Sequence, residues 1–389
     1  MQVTRVSSTV LVKEFINIAV ELYKDEKCWI RPLDKDIEQV FDKDKNKFFR
    51  HGQCERWILK NESGKTIGRV AAFINKKTVK KDNDQPTGGM GFFECIDDKD
   101  AAFKLFNTCK TWLEEREIEA MDGPINFGDR DKWWGLLVDG FDIEPNYTCN
   151  YNLKYYQKFF EEYGFQTYFE QYTFARKTRD PLSPALDRKA RRIQNDSDYT
   201  FSHAEKKNLE KYIEDFRVVY NAAWASHAGV AKMSSLQAKN IFKQLKPILD
   251  VKILWFGYFK GEPVAIFIML PEVNQIFKYV NGNLNWIGKL KFVYHKWRKT
   301  CNKMIGLVFG IAPEHQGKGV EGALIMAARQ MVQDDYHRYE NLEMNWIGDF
   351  NPKMIHVIEQ VGGKCAKTHI TYRKLFDESK PFKRCPIIK

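Results

Sequence analysis

An internal repeat with a spacing of 198 residues constrains the fold more than any other feature of this sequence. Trp57 and Trp255 (255 − 57 = 198) each begin a strand-like stretch that turns at a glycine and resumes as an apolar run. Gly164 and Gly362 (362 − 164 = 198) each close a helical pattern, as glycine C-caps do, and an aromatic strand follows. The spacing therefore predicts that the 389 residues form two copies of one fold.

Each copy has the same predicted order of elements, ending in alternating strands and helices. In the second copy we predict two helices, a hairpin, a strand, a helix, a strand, a helix and a strand, at residues 206–225, 236–249, 252–270, 304–311, 320–333, 342–347, 352–360 and 369–375. In the first copy, Asn152 is expected to open the helix that Gly164 closes. Hairpins beside strand–helix–strand units predict an α/β protein of the α+β kind, in which helices flank a mixed, mostly antiparallel sheet.

The predicted domain boundaries follow from a stretch of proline, basic and polar residues between the copies. Pro181, Pro184 and a basic cluster at 188–192 lie in this stretch, and such a composition is typical of a joint. The predicted parts are a first domain at 1–177, a linker at 178–198, a second domain at 199–376 and a tail at 377–389.

The net charge of +11 favours an anionic partner. A phosphate-bearing coenzyme, an acidic membrane surface and nucleic acid all suit a basic chain, and so does a solvated surface rich in lysine. The sequence contains no recognisable nucleic-acid recognition motif, so nucleic acid is not expected as a partner.

The cysteines and the apolar runs bear on the compartment. None of the eight cysteines forms a C-x-x-C pair or has metal-ligand spacing with a histidine, which predicts reduced thiols and no metal. Lys13 and Glu14 interrupt the first apolar stretch, and the longest apolar run, at 264–270, is too short to cross a bilayer. We therefore expect a cytoplasmic protein, either soluble or peripheral at the inner membrane surface.

A glycine-rich turn joins the apolar strand that ends at Ile311 to an apolar-periodic helix. Gly317 and Gly319 let successive backbone N–H groups point into one concavity, the helix N-terminus adds partial positive charge, and Lys318 adds a full one. This pattern predicts a phosphate cradle, and the alternative is an ordinary tight strand-to-helix turn. The residues predicted to contact a coenzyme here are Phe309, Gly310, Ile311, Gln316, Gly317, Lys318, Gly319, Val320 and Gly322.

This turn resembles the coenzyme loop of the GNAT superfamily of acyl-CoA N-acyltransferases, which reads Gln/Arg-x-x-Gly-x-Gly/Ala. Gln316 and Gly319 match in register, and Glu321 stands where the superfamily has Gly or Ala. The wider chain resembles a tandem-GNAT family that includes YghO-like proteins and bacterial ceramide synthases. The segments that carry this likeness are 48–51, 67–72, 123–127, 135–141, 155–156 and 345–351.

The resemblance implies two tandem GNAT-like domains in a cytoplasmic enzyme that uses acetyl-CoA or a long-chain acyl-CoA as cosubstrate. For some members of the family it implies N-acylation of a sphingoid base. Acetylation of an unknown small amine and acyl-CoA binding without catalysis are the alternative functions.

Acyl transfer to an amine needs a base, an oxyanion site and a proton for the leaving thiolate. Glu343 shares a strand face with Asn345, and Asp349 follows that strand, so both carboxylates are candidate bases; the alternative is a solvated or capping carboxylate. Tyr372 is a candidate donor to the thiolate, although it also fits a strand core. Asn351 is expected to cap the last helix, to hold the pantetheine arm, or both.

The first copy lacks the glycine turn. Asp97, Asp98 and Asp100 stand at the corresponding place and would repel a pyrophosphate, so this copy is interpreted as degenerate and on the acceptor side. The residues predicted to line the acceptor site are Asn126, Trp133, Trp134, Asn345 and Trp346.

Residues 289–299 alternate cations with aromatic side chains. Such a segment suits the surface of an anionic membrane, and nucleic acid could use the same chemistry. A solvated face that covers part of the core is the plainer alternative. The membrane interpretation predicts a peripheral enzyme that collects an amphipathic amine.

Overall fold

A computed structural model of the chain describes residues 1–80, 83–224, 232–334, 336 and 338–388. The described strands are β1 (Gln2–Arg5), β2 (Gly52–Lys60), β3 (Thr66–Asn75), β4 (Thr87–Cys95), β5 (Ala120–Gly123), β6 (Leu136–Asp139), β7 (Gln166–Lys177), β8 (Tyr199–His203), β9 (Leu254–Phe259), β10 (Glu262–Pro271), β11 (Lys303–Ile311), β12 (Asn341–Gly348) and β13 (Lys364–Leu375).

The helices cover both faces of the sheet that these strands form. They are α1 (Thr9–Leu22), α2 (Asp34–Phe41), α3 (Lys99–Glu114), α4 (Tyr156–Glu162), α5 (Pro184–Gln194), α6 (Leu209–Trp224), α7 (Ser235–Leu245), α8 (Asn274–Phe277), α9 (Trp286–Trp297), α10 (Val320–Asp334) and α11 (Pro352–Gln360). Among the described residues, no helix combines the length and the apolar character that crossing a bilayer requires.

The strands join in one mixed sheet in the order β1-β2-β3-β4-β5-β13-β7-β12-β11-β10-β9-β8, with β6 on β13. The neighbours β4–β5 and β11–β12 are parallel, and the other described pairs are antiparallel. The last strand of each half lies in the other half: β13 pairs with β5, and β7 pairs with β12. The two halves therefore share their central strands.

The predicted repeat is confirmed, although β2 begins at Gly52 and not at Trp57. The hairpin β2–β3 corresponds to β9–β10, and Gly164 and Gly362 both take the left-handed φ values, +90° and +82°, that a glycine C-cap needs. Each half also carries a β-bulge one residue past a glycine, after Gly91 on β4 and after Gly306 on β11. The mixed, mostly antiparallel sheet flanked by helices agrees with the predicted fold class.

Two local features differ from what the sequence suggests. The prediction that Asn152 opens a helix is wrong, because α4 begins at Tyr156. The buried Asn152 side chain instead accepts from the Leu137 N–H (2.7 Å) and donates to the Leu137 carbonyl (3.1 Å). The stretch predicted as a linker contains α5, whose Leu186, Ala190 and Ile193 are buried against α10.

Candidate functional site

A wedge-shaped opening separates β11 from β12. The two parallel strands pair only at residues 303–306 with 341–344 and then diverge. The β-bulge at Leu307 lies where the divergence begins, since Gly306 still pairs with Met269 and Val308 pairs with Ile268. Beyond Gly306, the edge of β11 that faces β12 has no strand partner among the described residues. The backbone N–H groups of this edge are therefore available to an oxyanion.

A cavity of about 510 Å³ fills the wedge, which is within the range of ligand pockets. Its wall is mostly apolar and includes Phe267, Met269, Leu307, Phe309, Ile325, Ile347 and Met354. Asn345, Trp346 and Asn351, three of the predicted site residues, also line it. Within the described part of the chain, this wall contains no carboxylate and no histidine.

The glycine-rich turn closes one end of β11. Gly317 and Gly319 have φ values of +70° and +100°, the left-handed region that glycine enters without strain. The Gln316 side chain donates to the Ile311 carbonyl (2.9 Å) and so holds the turn against the strand. Lys318 is exposed, and Val320 at the start of α10 is buried. This geometry can hold an anion at the N-terminus of α10.

The basic cluster of the predicted linker lies beside this turn. A Cβ atom at Gly319 would lie 3.2 Å from the Cβ of Lys189 on α5, and Arg192 donates to the Lys318 carbonyl (3.3 Å). Arg188, Lys189 and Arg192 are exposed. Sequence reasoning assigned these cations to a joint, and their spacing at i, i+1 and i+4 on one helix was the signal that could have marked them as part of the site.

Gly322 and Glu321 lie in the first turn of α10, where Gly322 affects helix packing and Glu321 affects the local charge. A Cβ atom at Gly322 would lie 2.7 Å from Leu186, so this glycine permits the close packing of α5. Glu321 replaces the small residue of the superfamily loop, and its Oε2 atom is buried without a hydrogen-bond partner among the described residues. The N-terminus of α10 stabilises this carboxylate, whereas a nearby phosphate would be repelled by it.

Glu343 lies in a buried ion triad. Its carboxylate, on a residue only 4 % exposed, is 2.6 Å from Lys303 Nζ and 2.7 Å from Lys367 Nζ. Burial by itself would raise the pKa of Glu343, but the charges of Lys367 and Lys303 outweigh it and lower the pKa. A carboxylate held ionised in this way is a weak proton acceptor.

Asn146 connects the triad with the cavity. Its Nδ2 group donates both to Glu343 Oε2 (2.7 Å) and to the Oδ1 atom of Asn345 (2.6 Å), which lines the cavity. Glu343 and Asn345 therefore share a face as predicted, and a loop of the first half joins them.

Asp349 and Tyr372 lie outside the cavity wall. Asp349 accepts from Arg384 of the C-terminal tail, and burial raises the pKa of its carboxyl group. Tyr372 is 1 % exposed in the core of the first half, where its ring packs on Phe160 and its hydroxyl donates to Glu161 (3.2 Å). This position follows from the strand exchange, since β13 lies between β5 and β7. Asn351 caps α11 by accepting from the Met354 N–H (3.2 Å).

The corresponding wedge of the first half is nearly filled. Its cavity measures about 70 Å³ and is lined by Arg69, Glu94 and Trp133, among others. Arg69 and Glu94 form a buried ion pair there, and Asp98 caps α3 in place of a glycine turn.

The other predicted acceptor residues lie around this first wedge. Trp133 is buried and packs against Phe92 at 5.6 Å. Trp134 is partly buried against the same cluster, and Asn126 is buried with an Oδ1 atom that has no partner among the described residues. The structure therefore brings Asn345 and Trp346 to the large cavity, while Asn126 and Trp133 lie in the first half.

Glu272 is the residue that follows β10, and it lies next to the triad. Its burial leads us to predict that the stability of the protein depends on pH. Glu272 is 2 % exposed, its Oε1 atom accepts from the N–H groups of Asn274 (2.8 Å) and Tyr147 (3.0 Å), and its Oε2 atom has no partner among the described residues. Burial raises its pKa from 4.5 to about 7. The carboxyl group is therefore protonated in the folded chain at a pH where the unfolded chain has lost the proton.

We expect the contribution of Glu272 to the free energy of unfolding to fall by on the order of 3 kcal/mol as the pH rises from 5 to 8, since each pKa unit corresponds to about 1.4 kcal/mol. The buried His369, whose pKa is lowered to about 4, contributes in the opposite direction, so the Glu272 part is the difference between the unmodified chain and Glu272→Gln. Glu272→Gln should remove most of this fall, because the amide stays neutral. Urea unfolding at both pH values measures it, and Glu262→Gln in the exposed hairpin turn is the matched control. An unchanged pH dependence in Glu272→Gln would contradict this assignment.

Comparison with known proteins gives the class of fold. No family model matches the chain. The tandem GNAT protein of the clavulanic acid biosynthesis pathway superposes with a TM-score of 0.55 at 8 % identity, over 97 % of this chain and 99 % of that one. A GCN5-related glucosamine N-acetyltransferase region of a fungal multi-domain protein gives 0.53 at 10 % identity, over 96 % of this chain and 38 % of that one. The chain therefore has the tandem GNAT fold.

Two curated proteins are similar in sequence over nearly the whole chain. The bacterial ceramide synthase of Caulobacter vibrioides is 24 % identical over 379 residues, which cover 96 % of this chain and 97 % of that protein. Protein YghO of Escherichia coli is 23 % identical over 367 residues, covering 93 % of this chain and 92 % of that protein. These similarities agree with the family resemblance that the sequence motifs indicate.

Proposed function

We propose that the chain is an acyl-CoA-dependent N-acyltransferase that moves an acyl group from a CoA thioester to a primary amine. The observation that carries the proposal is the large wedge between β11 and β12, which ends at a glycine-rich helix N-terminus. The first half offers neither feature, because its wedge is filled and its turn is acidic. The coenzyme site therefore belongs to the second half.

The coenzyme phosphates would lie against the turn at residues 316–319. The N–H groups at the start of α10 and the Lys318 ammonium are the first donors. Lys189 and Arg192 of α5 lie beside the same turn and offset the negative charge of Glu321. The helix between the two halves thus serves as part of the coenzyme site.

The reaction forms a C–N bond between the amine and the thioester carbonyl carbon and breaks the C–S bond, releasing the CoA thiol. Backbone N–H groups of β11 beyond the Leu307 bulge stabilise the oxyanion of the tetrahedral intermediate. Asn345 orients the amine at the narrow end of the cavity, and Glu343 acts as a positioning residue through Asn146. Water carries the amine proton out of the cavity toward Asp349, which directly follows the end of β12 and whose pKa is raised by burial. The departing thiolate takes a proton from water and leaves as the CoA thiol.

The acceptor that best suits this site is a long-chain amine of the sphingoid type, acylated from a fatty acyl-CoA. The apolar wall of the cavity and the similarity to a protein named bacterial ceramide synthase support this substrate class. We place the reaction in the cytoplasm, because the chain's eight cysteines are all free. A small amine acetylated from acetyl-CoA, or acyl-CoA binding without transfer, are the alternatives.

Direct measurement of transfer separates these possibilities. Purified protein is incubated with palmitoyl-CoA or acetyl-CoA and with sphinganine or a small diamine, and both the free thiol and the amide product are quantified. We expect amide formation from palmitoyl-CoA and sphinganine, and none from N-acetylsphinganine, the control that lacks a free amine. Acetylation of the diamine alone would favour the small-amine alternative. A thioester that stays intact would leave only the binding protein.

A further inference from the structure

Helix α9 presents an apolar stripe to solvent. Trp286, Leu290, Val293 and Trp297 are 70 %, 60 %, 61 % and 76 % exposed, and their spacing of four, three and four residues places them on one side of the helix. Ile287 and Tyr294, which are 46 % and 53 % exposed, widen the stripe. We call these six residues the α9 face.

The opposite side of α9 is fixed to the protein. Phe292 stacks on Phe277 with ring centroids 5.7 Å apart, and His295 stacks on Tyr279 at 4.0 Å. Gly288 is buried, and a Cβ atom there would lie 2.1 Å from the Asn283 carbonyl oxygen. The α9 face therefore points outward because the helix is held from behind, and the apolar exposure is a property of the folded state.

The segment that carries the α9 face has charged side chains of one sign. Residues 273–313 contain seven Lys and Arg residues and no Asp or Glu. Lys289, Lys291 and Lys299 are exposed, and within the described residues none of them pairs with a carboxylate. A large apolar surface rimmed by unpaired cations marks an interaction site, and its partner must carry negative charge beside an apolar interior.

We propose that the α9 face docks the protein on an anionic lipid bilayer. Tryptophan and tyrosine side chains favour the membrane interface, leucine, isoleucine and valine side chains can enter the acyl boundary, and the lysines attract anionic headgroups. A second copy of the chain would bring the same positive charge to the face and be repelled. A nucleic acid would leave Leu290 and Val293 against phosphates. The bilayer is the partner that satisfies both the charge and the apolar stripe.

The docking face is connected to the proposed acyl-transfer site through two strands. The segment that carries α9 leaves the sheet at the end of β10 and returns at the start of β11, and Met269 and Met304 on these strands line the large cavity. If the proposed function holds, docking places the cavity wall near the membrane from which an amphipathic amine would come.

Vesicle binding tests the docking without any substrate. The purified 389-residue chain is sedimented with vesicles of phosphatidylcholine alone or of equal parts phosphatidylcholine and phosphatidylglycerol. We expect binding to the anionic vesicles that weakens with salt. The triple variant Lys289→Gln/Lys291→Gln/Lys299→Gln should bind about a hundredfold more weakly, since one lysine near the surface contributes about a fivefold change. The double variant Trp286→Ser/Trp297→Ser should also lose binding to the anionic vesicles, even at low salt.

Matched controls come from exposed residues elsewhere. Lys76→Gln/Lys77→Gln removes exposed charge near β3, and Val10→Ser/Leu236→Ser removes two side chains that are 66 % and 69 % exposed. Both controls should bind like the unmodified chain, and circular dichroism establishes that every variant is folded. The proposal is overturned if the α9 variants bind as tightly as the unmodified chain, or if the unmodified chain prefers neutral vesicles. It is also overturned if the α9 variants abolish self-association while vesicle binding is absent.

Discussion

Glu343→Gln is expected to lower the free energy of unfolding by about 3–5 kcal/mol, the range for breaking a buried ion pair from one side. Glu343 is 4 % exposed and pairs with two lysines, the buried Lys367 and Lys303, whose side chain is 13 % exposed. The amide carries no charge, so both ammonium groups would remain in the interior without a counter-ion. The Lys367 side chain, 2 % exposed, has the least access to water and should contribute most of the loss.

Urea unfolding measures this loss, and Asp349→Asn is the matched control. Asp349 also pairs with a cation, Arg384, but the two side chains are 24 % and 51 % exposed, so the control should lose less than about 1 kcal/mol. The same two variants separate the proposed roles in turnover. Asp349→Asn should lower kcat with coenzyme affinity retained, as expected of a base. Equal stability of the two variants would contradict the assignment of Glu343 to a structural triad.

Gly319→Asp is expected to weaken acyl-CoA binding by more than about a hundredfold. The residue has a φ value of +100°, which a side chain with a Cβ atom adopts only with strain, and Lys189 Cβ would lie 3.2 Å from the new atom. The added carboxylate would also repel the coenzyme phosphates at close range. Backbone strain and charge repulsion both act on this turn. The loss of acyl-CoA affinity should therefore exceed the loss expected from removing a single contact.

Gly261→Asp is the matched control for Gly319→Asp. Gly261 also has a left-handed φ value, +87°, but it lies in the β9–β10 turn with nothing within 4 Å of its added Cβ atom. This variant carries the same backbone strain and the same charge away from the proposed site. It should therefore bind acyl-CoA like the unmodified chain, and a comparable loss in both variants would show that the loss does not depend on the position of Gly319 in the proposed site.

Much of the fold could be predicted because local patterns determine it. The paired spacing of Trp57 with Trp255 and of Gly164 with Gly362 reflects hairpins and helix C-caps, which are set by residues close in the chain. The glycine-rich turn was identifiable for the same reason, since Gly317 and Gly319 need left-handed backbone whatever surrounds them.

The features that sequence reasoning missed depend on contacts between distant segments. The exchange of β7 and β13 between the halves, which takes Tyr372 into the first half's core, leaves no local pattern. The lysines of the Glu343 triad come from two other strands, and a single sequence does not pair them. The position of α5 against the coenzyme turn likewise depends on how α5 packs on α10.

We propose that the second half holds an acyl-CoA between the diverging strands β11 and β12. Calorimetric titration of palmitoyl-CoA and acetyl-CoA into the purified chain, below the micelle-forming concentration of the lipid, tests it most directly. We predict binding of one palmitoyl-CoA per chain, tighter than that of acetyl-CoA, and no detectable binding to Gly319→Asp. Absence of heat with both ligands, or equal affinity in Gly319→Asp, would contradict the assignment of the cavity and the glycine-rich turn to the coenzyme.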